Sequence, residues 1–344
     1  MANVTDATTS TAAPTTCDAS LAQALAQMDP KEVFGDAMGR WAQADDLATI
    51  VVSDYGRRLS LGRFRELRGD GYIQVGIAEQ SQVGVGGSMA LEGLHVVAPA
   101  YACFLASRAI DQVRVSMGSM AAPLVLVGLA AGFGSGILGA SHMALDDVAV
   151  MRAIPGIDVV CPADNAELWC VLQDLARDPG PAYVRMSVVP AGTLVSPACE
   201  GLPRGRSRML SADSRPDAPA TVSLVATGGM VAEAARAADA LRARGVTCDV
   251  VAMPWVVPLD TIALDALSGS RLVVTVEEHI REGGLGGAVA EHLSEQPGGP
   301  ALLRLGAPSH DLEADDQSRL LERSGLTADA IAASVAERLH VLSR

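Results

Sequence analysis

The chain has 344 residues, 49% of them hydrophobic and 19% charged, which excludes a disordered polymer and, at roughly 100–200 residues per domain, predicts two domains. Its 26 Lys and Arg against 40 Asp and Glu leave a net charge of −14, a field that repels phosphate backbones and anionic lipid heads, so neither nucleic acid nor a membrane is expected as a partner. No apolar run reaches the roughly 18 residues of a membrane span: the nearest, 121–138, is interrupted by Gly128, Gly132, Gly134 and Gly136 and reads as a buried strand entering a loop.

In chain order, a polar leader rich in Ser, Thr and Ala (1–19) has neither the basic head nor the apolar block of a signal peptide, so it is expected to be disordered and the protein cytoplasmic. Residues 20–190 then alternate apolar strands with helices. Leu47–Ser53, His95–Ala100, Ala122–Ala130, Gly156–Pro162 and Pro181–Ser187 read as strands, and Ser81–Leu91, Ala106–Met117 and Asn165–Leu175 as helices. Such alternation predicts an α/β domain whose mainly parallel sheet carries helices on both faces. A stretch rich in Pro, Ser, Arg and Asp (191–217) is the expected linker. The remaining block, 218–344, repeats the pattern with strands at Thr221–Thr227, Cys248–Pro254 and Arg271–Glu278 and helices at Met230–Arg244 and Gly286–Ser294, predicting a smaller α/β domain.

Six cysteines without a CxxC pair and six histidines without ligand spacing indicate neither a disulfide framework nor a zinc site, and the cysteines are expected to be small buried hydrophobes. One carboxylate stands out. VGIAEQ puts Glu79 directly after an apolar strand and at the start of a helix rich in Gly and Ala. A carboxylate entering a buried element needs a donor, so Glu79 either faces the amides of its own helix terminus or does chemistry. Asp54, at the end of a strand in VVSDYG, caps a turn or faces a ligand. Lys31, Arg57, Arg58 and Arg185 are expected to be solvated surface charges, although together they could offer an anion site.

The phrases DGYIQVGIAEQSQVGVGGSMALEGL, YACFLASRAIDQVR, GASHMALDDVAVMRAIPGIDVVCPADNAE and VEEHIREGGLG resemble the C-terminal half of transketolases, and most closely the separate small subunit of split transketolases. The resemblance runs with gaps from about Pro30 to Ala336 and extends to 1-deoxy-D-xylulose-5-phosphate synthase and to the β subunit of the first pyruvate dehydrogenase component, which share RAIDQV. It implies a pyrimidine-binding domain of the thiamine diphosphate fold over 20–190, followed by a transketolase C-terminal domain. It gives Glu79 the role of the carboxyl that hydrogen-bonds the ring nitrogen of the cofactor's aminopyrimidine and favours its imino tautomer. Tyr101 and Phe104 fall where aromatic rings lie on the pyrimidine, with Ile77 beside the cofactor and Asp54 facing the neighbouring active site. His142 falls where a histidine stands over the reacting carbon. Glu277, Glu278 and His279 match a signature that anchors domain and subunit contacts rather than chemistry.

The sequence departs from the family pattern at the substrate. Where transketolases of this type read H-A-G and then G-E-D-G, this chain has Ala130-Ala131-Gly132 and Gly136-Ile137-Leu138-Gly139, and Val188 stands where a phosphate-binding arginine is expected. Apolar groups cannot replace polar partners of a polyol or phosphate, so a specialised substrate is expected. Gly69-Asp70-Gly71 spells the magnesium motif but lies in the approach to Glu79, with no asparagine between Asn3 and Asn165. The resemblance therefore implies that a large partner subunit, within an α2β2 assembly, holds the diphosphate and the magnesium (Mg2+) of thiamine diphosphate. The implied activity is transfer of a two-carbon ketol or acyl unit from a ketone donor to an acceptor carbonyl. A pyruvate-dehydrogenase-like acyl-transferring subunit and a non-catalytic scaffold or regulatory partner of the same fold remain alternatives.

Overall fold

A computed structural model describes residues 15–195, 199–200, 202–215, 217–310 and 313–344. The expected disordered leader lies outside the described residues over 1–14. Its last residues form the short strand β1 (Thr16–Cys17), which pairs with β8 (Cys199–Glu200), and Asp18, whose carboxylate caps α1 (Ala19–Ala26) by accepting from the Leu21 amide. The next helix, α2 (Pro30–Ala44), starts on a capping box: Asp29 accepts from the Lys31 amide at 2.9 Å, Glu32 accepts from the Asp29 amide at 3.1 Å, and Pro30 occupies the first turn, where no donor is needed.

The first sheet has the order β12-β6-β7-β5-β4-β2-β3. Its strands are β2 (Ala48–Val52), β3 (Tyr72–Gln74), β4 (His95–Tyr101), β5 (Leu124–Ala131), β6 (Asp158–Val160) and β7 (Ala182–Ser187), all parallel, with β12 (Trp255–Val257) added antiparallel at one edge. Helices α3 (Gly62–Leu67), α4 (Glu79–Leu91), α5 (Ala102–Ala106), α6 (Ile110–Val113), α7 (Asp147–Arg152) and α8 (Asn165–Arg177) connect them. One face buries Leu25, Phe34, Met38, Trp41, Trp169 and Leu172 from α1, α2 and α8; the other buries Val83, Val113, Met117 and Met151. Both faces of the central strands are covered, which is why their sequences are continuous apolar runs.

The second sheet has the order β14-β13-β10-β11-β9. It contains β10 (Val222–Ala226), β11 (Cys248–Ala252), β13 (Leu272–Ile280) and β14 (Ala301–Ala307) in parallel, with β9 (Arg208–Ser211), from the expected linker, antiparallel on β11. Helices α9 (Met230–Arg242), α10 (Thr261–Ala266), α11 (Leu285–Ser294), α12 (Gln317–Arg323) and α13 (Ala328–Leu342) complete it. The two sheets share apolar packing: Val225, Val251, Val273, Leu285 and Val289 belong to the same buried cluster as Leu124 and Met151.

Two expectations change. The single helix expected over Ala106–Met117 is broken into α5 and α6, followed by a π-helical turn at Arg114–Ser119, with residues 107–109 turning between them. Arg185 is not a surface charge: it lies on β7 between β5 and β6 and is 2% exposed. Its Nε donates to both oxygens of Asp147 at 3.1 and 2.9 Å, and its Nη2 donates to the carbonyls of Ala144 and Glu278 at 3.0 and 2.9 Å. Burial alone would lower the pKa of the guanidinium, but the adjacent Asp147 carboxylate raises it on balance, so the charge is retained. Among the cysteines, Cys17, Cys103, Cys161, Cys170 and Cys248 are buried.

Candidate functional site

In an open parallel sheet the crevice beyond the carboxyl ends of the strands is where ligands collect. Four neighbouring strands deliver the candidate residues to that edge. Asp54 and Tyr55 follow β2, the turn Gly76–Ala78 follows β3, Tyr101 ends β4, and the segment 132–142 follows β5. Gly76 turns the chain at φ +80°, a conformation other residues resist, and its carbonyl accepts from the Ala78 amide at 2.8 Å. Glu79 follows immediately as the first residue of α4, where the free amides of a helix start favour a negative charge.

Glu79 is 3% exposed, and its Oε2 accepts from Nη1 of Arg108 at 2.7 Å. The guanidinium carbon of Arg108 lies 4.4 Å from the centre of the Phe104 ring. Phe104 in turn meets Tyr101 (5.7 Å) and His142 (5.3 Å) edge to face, and Tyr101 and His142 meet each other at 5.7 Å. Edge-to-face packing at these separations adds stabilisation beyond simple burial and fixes the rings relative to one another. Tyr55 adds a fourth ring, 4.9 Å from Tyr101, with Arg58 over its face at 5.7 Å. Burial, then hydrogen bonding and proximity to Tyr55, push the Tyr101 phenol up to about 12, so it carries its proton at physiological pH. Ser141 Oγ lies 3.0 Å from Nδ1 of His142.

Of the residues singled out from sequence, Glu79, Tyr101, Phe104 and His142 thus form one continuous cluster, with Arg108 joining the carboxylate to the rings. Asp54 and Ile77 border it along the chain. Asp54 is exposed and makes no capping hydrogen bond to the 3-10 turn Tyr55–Arg58, and Ile77 is 74% exposed. Arg57 and Arg58 are exposed and Lys31 is half-buried on α2. Sequence reasoning did not assign Tyr55 or Arg108; the spacing of Phe104 and Arg108, an aromatic ring and a cation four residues apart, was the available signal.

The apolar replacements also gather at this edge. Ile137 and Leu138 are 71% and 54% exposed on a 3-10 turn, while Val188 is half-buried against Gly134 in the same segment. The turn is held from the second sheet by Glu278, whose Oε1 accepts from the Phe133 amide at 2.8 Å and from Gln317 at 3.0 Å. Glu277 instead accepts from the amides of Leu285 and Gly286 at 2.7 and 2.8 Å, capping α11. His279 receives the Ala149 amide on Nε2 at 3.3 Å. The three signature residues are therefore buried structural ties, and burial holds both carboxyls above the usual range.

The donor set fits one part of a thiamine-type cofactor. A buried carboxylate beside a cluster of aromatic rings suits a flat heterocycle that hydrogen-bonds through its edge. Among the described residues there is no group of three or more His, Cys, Asp or Glu that could hold a metal ion. Nor is any helix among the described residues long and apolar enough to cross a membrane.

Residues 26–188 match the family model for the transketolase pyrimidine binding domain, and residues 216–331 the model for the transketolase C-terminal domain. The chain is 33% identical over 312 residues to 1-deoxy-D-xylulose-5-phosphate synthase of Chlorobium luteolum, covering 89% of itself but only 48% of that protein. It thus spans about half the length of the synthases it matches. It is 32% identical to the 6-deoxy-6-sulfo-D-fructose transketolase subunit SqwH of a Clostridium species, covering 88% of itself and 91% of that subunit. A solved split-gene transketolase, in the form of an inactive beta4 tetramer, superposes with a TM-score of 0.78 at 32% identity, over 90% of this chain and 97% of that one.

Proposed function

The chain belongs to the transketolase family, and from that premise we propose that it is the small, pyrimidine-binding subunit of a two-component thiamine-diphosphate-dependent enzyme that transfers a two-carbon ketol or acyl unit to an acceptor carbonyl. The observation that carries this reading is the buried Glu79 carboxylate at the start of α4, set against the Tyr101–Phe104–His142 ring cluster. Thiamine diphosphate, when bound, supplies a carbon nucleophile that adds to carbonyl groups.

The residues of this chain do the rest. Glu79 hydrogen-bonds the ring nitrogen of the aminopyrimidine and sets which tautomer is populated. Tyr101 and Phe104 provide flat apolar walls that orient the ring and exclude water, with Ile77 and Asp54 at the border. His142, its Nδ1 engaged by Ser141, has Nε2 left to exchange a hydrogen bond or proton with an oxygen that gains charge during the reaction. The apolar Ala130, Ile137, Leu138 and Val188 favour a donor or acceptor less hydroxylated than a pentose phosphate. A large partner subunit brings the diphosphate and magnesium sites in an α2β2 complex in the cytoplasm. The inactive state of the solved split-gene beta4 tetramer supports dependence on such a partner. We divide the chain for this purpose at 20–190, 191–217 and 218–344.

The test is calorimetry of thiamine diphosphate and magnesium with the chain alone and mixed with a candidate large subunit, for wild type and Glu79→Gln. Tight binding only in the mixture, with turnover of a ketone donor lost in the variant, is expected. Turnover that survives Glu79→Gln overturns the catalytic reading and leaves a scaffold of the same fold.

A further inference from the structure

Arg108 lies where the backbone turns between α5 and α6, not within a helix. Its side chain is 45% exposed, whereas that of its partner Glu79 is 4% exposed, so the cation reaches in from solvent to a carboxylate that is out of it. Its Nη1 bonds Glu79 at 2.7 Å, its guanidinium carbon lies over the Phe104 ring at 4.4 Å, and among the described residues its side chain makes no other hydrogen bond. A buried, ionised carboxylate without a partner is strongly disfavoured, so in the absence of a ligand some cation or donor has to stand beside Glu79.

A guanidinium is a flat cation with N–H donors along its edge. An aminopyrimidine protonated on its ring nitrogen has the same two features, a flat face to stack and an N–H edge to donate. Arg108 already uses the two groups such a ring needs, the Phe104 face and the Glu79 carboxylate. We propose that Arg108 fills the aminopyrimidine seat in the free chain and swings out to admit the cofactor. This rests on the assignment of Glu79 and Phe104 to the pyrimidine given above. A half-exposed ion pair is weak enough to be exchanged for a ligand, unlike a fully buried one. Apparent affinity then equals intrinsic affinity scaled by the fraction of chains with Arg108 out.

The experiment uses the full chain as wild type, Arg108→Met, Glu79→Gln and the double variant, titrated calorimetrically with 4-amino-5-hydroxymethyl-2-methylpyrimidine, with thermal unfolding to confirm that each is folded. Arg108→Met is expected to bind the probe roughly tenfold more tightly or better than wild type. Raising salt is expected to weaken binding to Arg108→Met, by screening the probe against Glu79, and to change binding to wild type less, because there one ion pair is exchanged for another. Both variants carrying Glu79→Gln are expected to lose binding. If wild type and Arg108→Met bind equally, or the variant more weakly, with binding still dependent on Glu79, Arg108 is no plug although the site reading stands. If neither shows binding that depends on Glu79, the site reading falls and the plug with it.

Discussion

Glu79–Arg108 and Asp147–Arg185 are both carboxylate–guanidinium pairs, at 2.7 and 2.9 Å, among the elements that surround the first sheet. In the first, the arginine is half in water and, among the described residues, its side chain hydrogen-bonds only the carboxylate. In the second, both side chains are almost fully buried, the Tyr183 hydroxyl donates to Asp147 at 2.7 Å, and the guanidinium also ties the Ala144 and Glu278 carbonyls. Gly128 leaves room on β5 for that tyrosine hydroxyl. Identical chemistry is thus used once as an exchangeable contact and once as a fixed joint between the domains; solvent access and the number of accompanying bonds make the difference.

Breaking the joint is expected to have the largest effect. Asp147→Ala leaves Arg185 charged and uncompensated in the interior and should lower stability by about 3–5 kcal/mol, read by chemical denaturation. A loss below about 1 kcal/mol would mean that burial does not separate the two pairs. Glu167 on α8 offers an intermediate case, a carboxyl 5% exposed that accepts from the Ala163 amide at 2.6 Å. Burial pushes its pKa up to about 7, so the folded chain holds a proton that the unfolded chain, with the ordinary carboxyl value near 4.5, has already released. Its contribution to stability is therefore complete below about 4.5 and is lost as pH rises through about 7. Glu167→Gln is expected to flatten that loss in a series of unfolding midpoints taken between those values. Glu79→Gln should change stability by less than about 1 kcal/mol, since the amide oxygen can still accept from a half-exposed arginine, while abolishing cofactor binding. Smallest is Asp111→Ala: its pair with Arg114 is 67% exposed on both sides, and no measurable shift in the unfolding midpoint is expected.

The same contrast explains what could be read from the sequence. The central strands were legible because each is buried on both faces and so writes a continuous apolar run, as in Leu124–Ala131. Glu79 was legible because an acidic residue at an apolar strand-to-helix junction is unusual. Arg185 was misread because arginine is ordinarily solvated, and the aspartate that permits its burial is 38 positions away. Arg108 escaped notice for a related reason: its partner is 29 positions away, and the helix expected over Ala106–Met117 concealed the turn that places it. The start of α2, which sequence reasoning did not assign, carries a capping box in Asp29, Pro30 and Glu32. Long-range pairing of charges leaves no periodic trace, whereas burial and caps do.

β12 belongs by chain position to the second block yet pairs with β6 at the edge of the first sheet, Trp255 opposite Val160. The two halves are consequently not interchangeable cassettes. Cutting the gene between 191 and 217 and expressing the first piece alone would strip the cover from β6 and leave a bare strand edge, the kind of surface along which chains add to one another. Any hybrid that swaps the C-terminal half for a homologue's must bring a compatible edge strand with it, or inherit aggregation in place of a new specificity.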